Sequence, residues 1–423
     1  MPIGSVSQAI AAQAEFMRPD LAELVLLQGV LWKRINKSTE VNAISNRPAR
    51  IAFNALTGGR FRTGANLFDN APLGRGSAPT LTFGTLSAVS FLQASEYSAL
   101  AEYSTDSTQK AIENYVTLTN RQATETFAGY MDALVCQSAG DNMLDTVVNT
   151  SGTNGLIVNN ANFFQDNQRL DVYDAQSGNF VQTIEVLSVD IANNTIWLTA
   201  PFPVGTVAGY ALYVEGSAGV ANSGFFGLPY YFVAGNAGNF MGIPRAAFPG
   251  KFSTPNIAPR ALTPAAVRAA QAQMDLKMGT EQDGDDVVMH MNVDMAAAWE
   301  NNALTVQSII RNQETGDQTA DMLHKRQVTT MAGREILRNI RARPGIIHAI
   351  NFKHLFRLET KALDMYEVGG QTIFPTYADD GGVNSTMIFY LTMMAQLGCD
   401  GPQNAFFIGP NVALPGGYFG TSF

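Results

Sequence analysis

The most constraining feature of the sequence is the stretch from Ser104 to Met143, STDSTQKAIENYVTLTNRQATETFAGYMDALVCQSAGDNM. Ile112, Val116, Thr119, Ala123, Phe127, Met131 and Leu134 recur at steps of three and four, the period of one helical face. Ser104, Thr105 and Asp106 are candidate N-caps. The pattern allows a helix ending at Val135, or one running through Ala139 and Gly140 to Met143. At 1.5 Å per residue, thirty-odd residues span about 45–50 Å. That is too long for a small domain, so this helix is expected to be a spine along which other parts are arranged.

A chain of 423 residues allows two or three domains and a sizeable core. Charged residues make up only 15%, well below the roughly 25% usual for soluble proteins. So little charge implies surface hidden against something. No apolar run of about 18 residues is present to span a membrane. The start, MPIGSVSQAIAAQAEF, has neither the basic nor the apolar region of a signal peptide. Burial against other protein subunits is the expectation. The net charge of −9 argues against a strongly basic nucleic-acid binder. Cys136 and Cys399 are far apart and read as reduced thiols.

Between Asn54 and Thr80 lies NALTGGRFRTGANLFDNAPLGRGSAPT, with five glycines, three arginines, no lysine and one acid. It has no periodicity that could bury a face, and long structureless loops inside compact domains are usually functional or disordered. RPARIAF precedes it and LTFGTLSAVSFLQASEY comes after it, with apolar residues at Leu81, Phe83, Leu86, Val89 and Phe91. These flanks fit the stem of a long hairpin with the glycine-rich stretch as its tip. Further upstream, Ile10, Ala14, Met17, Leu21, Leu24, Leu27 and Leu31 form an apolar helical stripe, broken near Pro19. It reads either as an arm docked on a neighbour or as a first core helix. On the arm reading, removing residues 1 to 35 should leave a folded subunit.

From 151 to 222 the segments QRLDVYDA, FVQTIEVLSVD, NTIWLTAP and GYALYVEG read as short strands of a small barrel or sandwich. Six acids (Asp166, Asp171, Asp174, Glu185, Asp190, Glu215) face one base, Arg169. A Gly-, Pro- and aromatic-rich connection comes next. Beyond it lies a helix with Thr263 as N-cap, Pro264 at its first position and Gly279 at its end, burying Val267, Ala270, Met274 and Met278. DVVMHM reads as a strand and NVDMAAAWENN as a helix capped by Asn292, an α/β layer. Two strands are expected around Ala332-Gly333, another at Ile346 to Ile350, a short helix after Asn351, and a closing strand at Thr386 to Met394.

Chemical motifs are missing. His290, His324, His348 and His354 show no metal-site spacing, and HExxH is absent. His290, in VVMHM, reads as a core residue. No G-x-S-x-G elbow, Walker loop or dinucleotide fingerprint occurs, and Asp283, Asp285 and Asp286 lack the EF-hand glycine position. We therefore assign no catalytic, cofactor or metal residues. Between Lys325 and Lys361 nine bases face two acids, Glu335 and Glu359. We read this cluster, with Arg334, Arg338, Arg341 and Arg343, as intersubunit electrostatics in preference to a solvated face.

The order of parts resembles the major capsid proteins of tailed double-stranded DNA bacteriophages, with the Hong Kong 97-like fold. The resemblance is one of layout and covers nearly the whole chain. It implies an α+β fold with an N-terminal arm (1–45), an extended E-loop hairpin (46–103) and a spine helix of the peripheral domain (104–150). After these come an inserted small β domain (151–222), a connection (223–261), an axial α/β domain with return strands (262–397) and a C-terminal segment (398–423). NALTGGRFRTGANLFDNAPLGRGSAPT is similar to the E-loop, which in the family lies over an adjacent subunit. Gly58, Gly59, Arg60, Arg62 and Arg75 are the contacts this implies. The implied function is a structural protein self-assembling into hexamers and pentamers of an icosahedral virion shell around double-stranded DNA, loosely held. Its expected partners are a scaffolding protein, a portal at one vertex and a decoration or cement protein, with no membrane and no cofactor. Some members cross-link through an E-loop lysine; with no lysine between Lys37 and Lys110, that is not expected here. Only about fifty residues precede the E-loop, which implies a separate scaffolding protein. Alternatives are an encapsulin-like compartment shell, or an enzyme whose site lies in the aromatic connection Phe225 to Tyr231.

Overall fold

The computed structural model describes residues 30–38, 49–54, 81–98, 109–174, 176–202, 208–218, 224–257, 263–278, 287–300, 330–331, 334–377, 383–402 and 405–409. The N-terminal stripe from Ile10 to Leu27 and the tip of the glycine-rich stretch lie outside them, as do His324 and the 283–286 acids. Among the described residues no helix is long and apolar enough to cross a membrane.

The spine helix is Gln109–Gln137, 29 residues, or about 43 Å. Ala123, Phe127, Met131 and Leu134 are buried, as their spacing requires, and from Met131 to Gln137 every residue is buried. The helix therefore passes from a two-faced surface element into the middle of the core. It ends before Met143 for a local reason. Gly140 adopts φ +101°, and the Ser138 hydroxyl donates to the Phe225 carbonyl while accepting from the Gly140 and Asn142 amides. The closing residues are thus paired outside a helix.

The strands are β1 (Asn36–Lys37), β2 (Ala49–Asn54), β3 (Leu81–Leu86), β4 (Val89–Ser98), β5 (Asp145–Ser151), β6 (Gly155–Val158), β7 (Arg169–Tyr173), β8 (Phe180–Asp190), β9 (Thr195–Leu198) and β10 (Ala211–Val214). They continue with β11 (Asn239–Phe240), β12 (Ile243–Pro244), β13 (Asn256–Ile257), β14 (Val287–Met291), β15 (Thr330–Met331), β16 (Arg334–Arg338) and β17 (Ile347–Asn351). The last are β18 (Leu355–Met365), β19 (Ile373–Tyr377), β20 (Val383–Cys399) and β21 (Phe406–Ile408).

β2 and β3 pair antiparallel in register from Asn54↔Leu81 to Ala49↔Leu86, forming the stem of the hairpin. The downstream flank is not one strand, however. It breaks at Ser87-Ala88, where Gln396 Nε2 donates to the Ser87 carbonyl. β4 then leaves the hairpin and pairs with β20 over ten residues, Val89↔Ala395 to Ser98↔Thr386. β20 is the axis of a five-stranded sheet, flanked on its other side by β18 and β19, with β1 added parallel to β18.

β5 to β10 close a six-stranded antiparallel barrel in the order β10-β5-β6-β9-β8-β7. Leu156, Val158, Leu170, Val172, Ile184, Val186, Ile196, Leu198 and Leu212 fill it. The barrel opens at Asp145, two residues past the furthest expected helix end, Met143, and six residues before the first boundary expected for β structure. Only seven residues separate it from the helix, too few to show a change of period.

β13-β21-β17-β14-β16-β15 form a second, mixed sheet. Val287, Met289 and Met291 alternate onto a core with Val267, Ala270 and Met274 of the Pro264–Met278 helix and Met295 and Trp299 of the 293–300 helix. Both helices carry the expected caps: Thr263 Oγ1 accepts from Ala266 N, and Asn292 Oδ1 from Asp294 N. After Asn351 there is a single 3-10 turn, Phe352–His354, and then the long strand β18.

The apolar stripe that began upstream ends in this chain's own core. Leu31, Trp32 and Ile35 are buried to 1% exposure. Trp32 packs on Phe225, ring centroids 6.1 Å apart. A deletion of residues 1 to 35 would therefore remove core side chains, and the expectation that it leaves a folded subunit is withdrawn. A cut placed before Val30 keeps Leu31, Trp32 and Ile35 in the chain.

Candidate assembly surfaces

The hairpin stem is the first candidate. β2 and β3 form a two-stranded sheet joined to no other strand among the described residues. An isolated two-stranded hairpin is marginal in water. Of the implied contacts, Gly58, Gly59, Arg60, Arg62 and Arg75 all lie outside the described residues; at the other end of the stem, Leu86 is fully buried.

The second candidate is the point where residues 30–37 join the body. Asp132, on the buried end of the spine helix, accepts from the amides of Val30 (3.1 Å) and Leu31 (3.2 Å). Burial pushes its carboxyl pKa up, and these amides, with Arg341 nearby, pull it back. Arg357 Nη1 donates to the Trp32 carbonyl while its guanidinium lies 5.7 Å over the indole. Arg34 forks onto Glu335 at 2.6 and 3.0 Å, and Lys37 pairs with Glu359 at 3.4 Å. This chain entry is thus clamped by a buried carboxylate and two ion pairs. Sequence reading missed Asp132 because one acid inside an amphipathic helix carries no signal of its own.

The four arginines of the basic cluster do not form one patch. Arg334 is buried, close to Asp275, and two of its guanidinium nitrogens lack a hydrogen-bond partner. Arg338 forms an ion pair with Glu300. Arg341 lies against the spine helix, its Nη2 2.6 Å from where a Cβ on Gly129 would stand, so a side chain there would displace the guanidinium. Arg343 is exposed. Three of the four therefore have contacts within the chain, and the charge of the fourth, Arg343, acts on Asp145 and His348 of the same chain.

Deeper in the same seam, His290 of β14 and His348 of β17 are register partners with rings 6.2 Å apart. His290 Nε2 is 4.0 Å from the Cys136 thiol of the spine helix, and Asn339 Nδ2 donates to that sulfur at 3.7 Å. Burial holds both imidazoles down at about 3 and pushes the thiol well up. All three are neutral, so the Cys136–His290 contact is a core packing pair without a thiolate. The aromatic connection is likewise core. Phe225 and Tyr231 are fully buried, the Tyr231 hydroxyl donates to the Leu397 carbonyl at 2.6 Å, and Tyr230 accepts from the Met241 amide at 2.8 Å. Gly227 passes so close to the helix end that a Cβ would stand 2.4 Å from the Leu134 carbonyl oxygen. Among the described residues no three His, Cys, Asp or Glu side chains gather as a metal site.

No protein-family model matches the sequence, and no curated protein matches it either. Solved structures do. The capsid asymmetric unit of cyanophage A-1(L) aligns over 90% of this chain and 91% of its own, at 13% identity and a TM-score of 0.51. The chain has the fold of a phage capsid subunit. Other matches are the capsid of the native GTA particle (12% identity, 91% and 90% coverage, TM-score 0.44) and a virus-like particle from Pyrococcus furiosus (6%, 93% and 98%, TM-score 0.39). The fold statement rests on the cyanophage subunit, whose score exceeds 0.5.

Proposed function

We propose that this chain is the major capsid protein of a tailed bacteriophage, self-assembling into the hexamers and pentamers of an icosahedral shell that encloses double-stranded DNA. The observation that carries the reading is the likeness to the cyanophage A-1(L) capsid subunit over nine-tenths of both chains. The two-stranded β2–β3 stem supports it, because its stability needs a surface to lie on. In this reading the stretch 55–80 is the E-loop, laid over an adjacent subunit with Gly58 and Gly59 giving the bend and Arg60, Arg62 and Arg75 the ion pairs. Arg343 is the exposed member of the basic cluster, and in this reading it faces a neighbour. Gln109–Gln137 is the peripheral spine, the barrel is an insertion, and residues 262–397 hold the axial domain and the return strands. Scaffolding, portal and decoration proteins are partners, and DNA is held loosely because the chain is net negative. Electron microscopy of the purified full-length protein tests this. Closed shells of uniform size are expected; a preparation of small soluble oligomers would contradict it.

A further inference from the structure

The outer wall of the barrel formed by β10, β7 and β8 carries side chains that the barrel's own packing does not use. Tyr213, Tyr173 and Phe180 run across it edge to face, with centroids 5.3 Å (Tyr173 to Tyr213) and 5.5 Å (Tyr173 to Phe180) apart. Phe180 is 53% exposed and Val181 37%. Carboxylates surround this ladder. Asp174 comes directly after Tyr173, its carboxylate held anionic by the Gln176 amide and the Ser177 hydroxyl. Asp141 lies near enough to Tyr213 to help burial push the phenol up to about 12. The one base of the barrel, Arg169, pairs with Glu215 at 3.1 Å. The wall therefore offers ring faces and negative charge without a free cation among its described residues.

That combination selects guanidinium. Arginine stacks on aromatic rings and forks onto carboxylates, whereas lysine is a hydrated point charge that does neither as well. The same sequence contains a segment whose bases are all arginine: Arg60-Phe61-Arg62 and Arg75, with Asp69 as its one acid and no lysine. We propose that the outer wall of the barrel, around Tyr173, Phe180 and Tyr213, is the docking surface for the Arg60–Arg62 segment of a second copy of this chain. This rests on the reading of residues 55–80 as an intersubunit loop, and adds which surface of the neighbour receives it. The occupant is chosen by charge and by side-chain chemistry together: Phe61 has the ladder to lie on, and its two flanking arginines have the acids.

The test uses the full-length chain with Phe61 replaced by photoreactive benzoylphenylalanine, mixed with an equal amount of isotope-labelled unsubstituted chain and irradiated. Mixed-isotope cross-linked peptides that join position 61 to residues 171–182 or 211–215 are expected. Phe180→Ala in the labelled chain should cut their yield at least fivefold, and that exposed position leaves the barrel core untouched. Cross-links confined to one chain, landing elsewhere on the neighbour, or not forming at all would each overturn the proposal. Electron microscopy of the same sample separates the two readings: regular shells with cross-links elsewhere sink this surface and leave the capsid function standing.

Discussion

Asp132 shows how one buried side chain fixes where the chain enters the body. Its carboxylate satisfies the amides of Val30 and Leu31 at the buried end of the spine helix. Asp132→Ala would strand these donors and open a void, at a cost of about 2–4 kcal/mol. The expected result is a lower melting temperature, with faster proteolysis at 30–38 than in the barrel; an unchanged melting curve would show that the carboxylate is dispensable. The His290–His348 pair gives a pH dependence with a definite sign. Both pKa values are depressed to about 3 from an ordinary 6.5, so the unfolded chain binds more protons below pH 6.5 and stability falls as pH drops from there toward 3. Each imidazole contributes a slope of about 1.4 kcal/mol per pH unit. Asp145, raised to about 6 by burial, opposes this in part, since its folded form takes up its proton first between about 6 and 3.8. The groups facing the pair are Cys136, Asn339 and Arg343, with Phe232 and Phe407 as apolar neighbours. Replacing both histidines by glutamine should flatten the fall in stability between pH 6 and pH 4, read by denaturant titration at each pH; an unaltered slope would locate the acid sensitivity elsewhere.

At the scale of elements, legibility tracked the strength of period and cap. The spine helix, the Thr263–Pro264 start, the Asn292 cap and the four barrel strands β7 to β10 all stand where alternation or capping residues put them. β5 and β6 were hidden, since only seven residues separate DTVVNTS from a helix and GLIV is four residues long. β18 was hidden for another reason: Arg357, Glu359 and Lys361 interrupt its apolar alternation, and Arg357 and Glu359 are paired and nearly buried. The break at Ser87-Ala88 depends on Gln396, more than 300 residues away in sequence, which no local pattern can report. The hairpin supplies the prediction that belongs here. Gly58 and Gly59 lie between the β2 strand and the loop beyond it. If either takes φ > 0, a β-branched residue there costs about 1–2 kcal/mol. The Gly58→Val/Gly59→Val double variant should melt like the parent but give few or malformed particles. Normal particle yield would remove this stretch from the assembly surface.

For the whole molecule, the low charge content and the architecture converge on one account. A chain with 15% charged residues presents a stem with no third strand among the described residues and a barrel wall where Phe180 is exposed beside half-buried Tyr173 and Tyr213. Such surfaces are liabilities for a monomer and contacts for a shell. The fold is that of a phage capsid subunit, and the account requires that the hairpin tip find its support on a neighbour. The most direct measurement is a cryo-electron microscopy reconstruction of particles formed by the purified 45.5 kDa chain. The account predicts a closed shell in which residues 55–80 of each subunit lie on an adjacent one. A discrete oligomer without shell geometry, or a hairpin folded back on its own subunit, would contradict it.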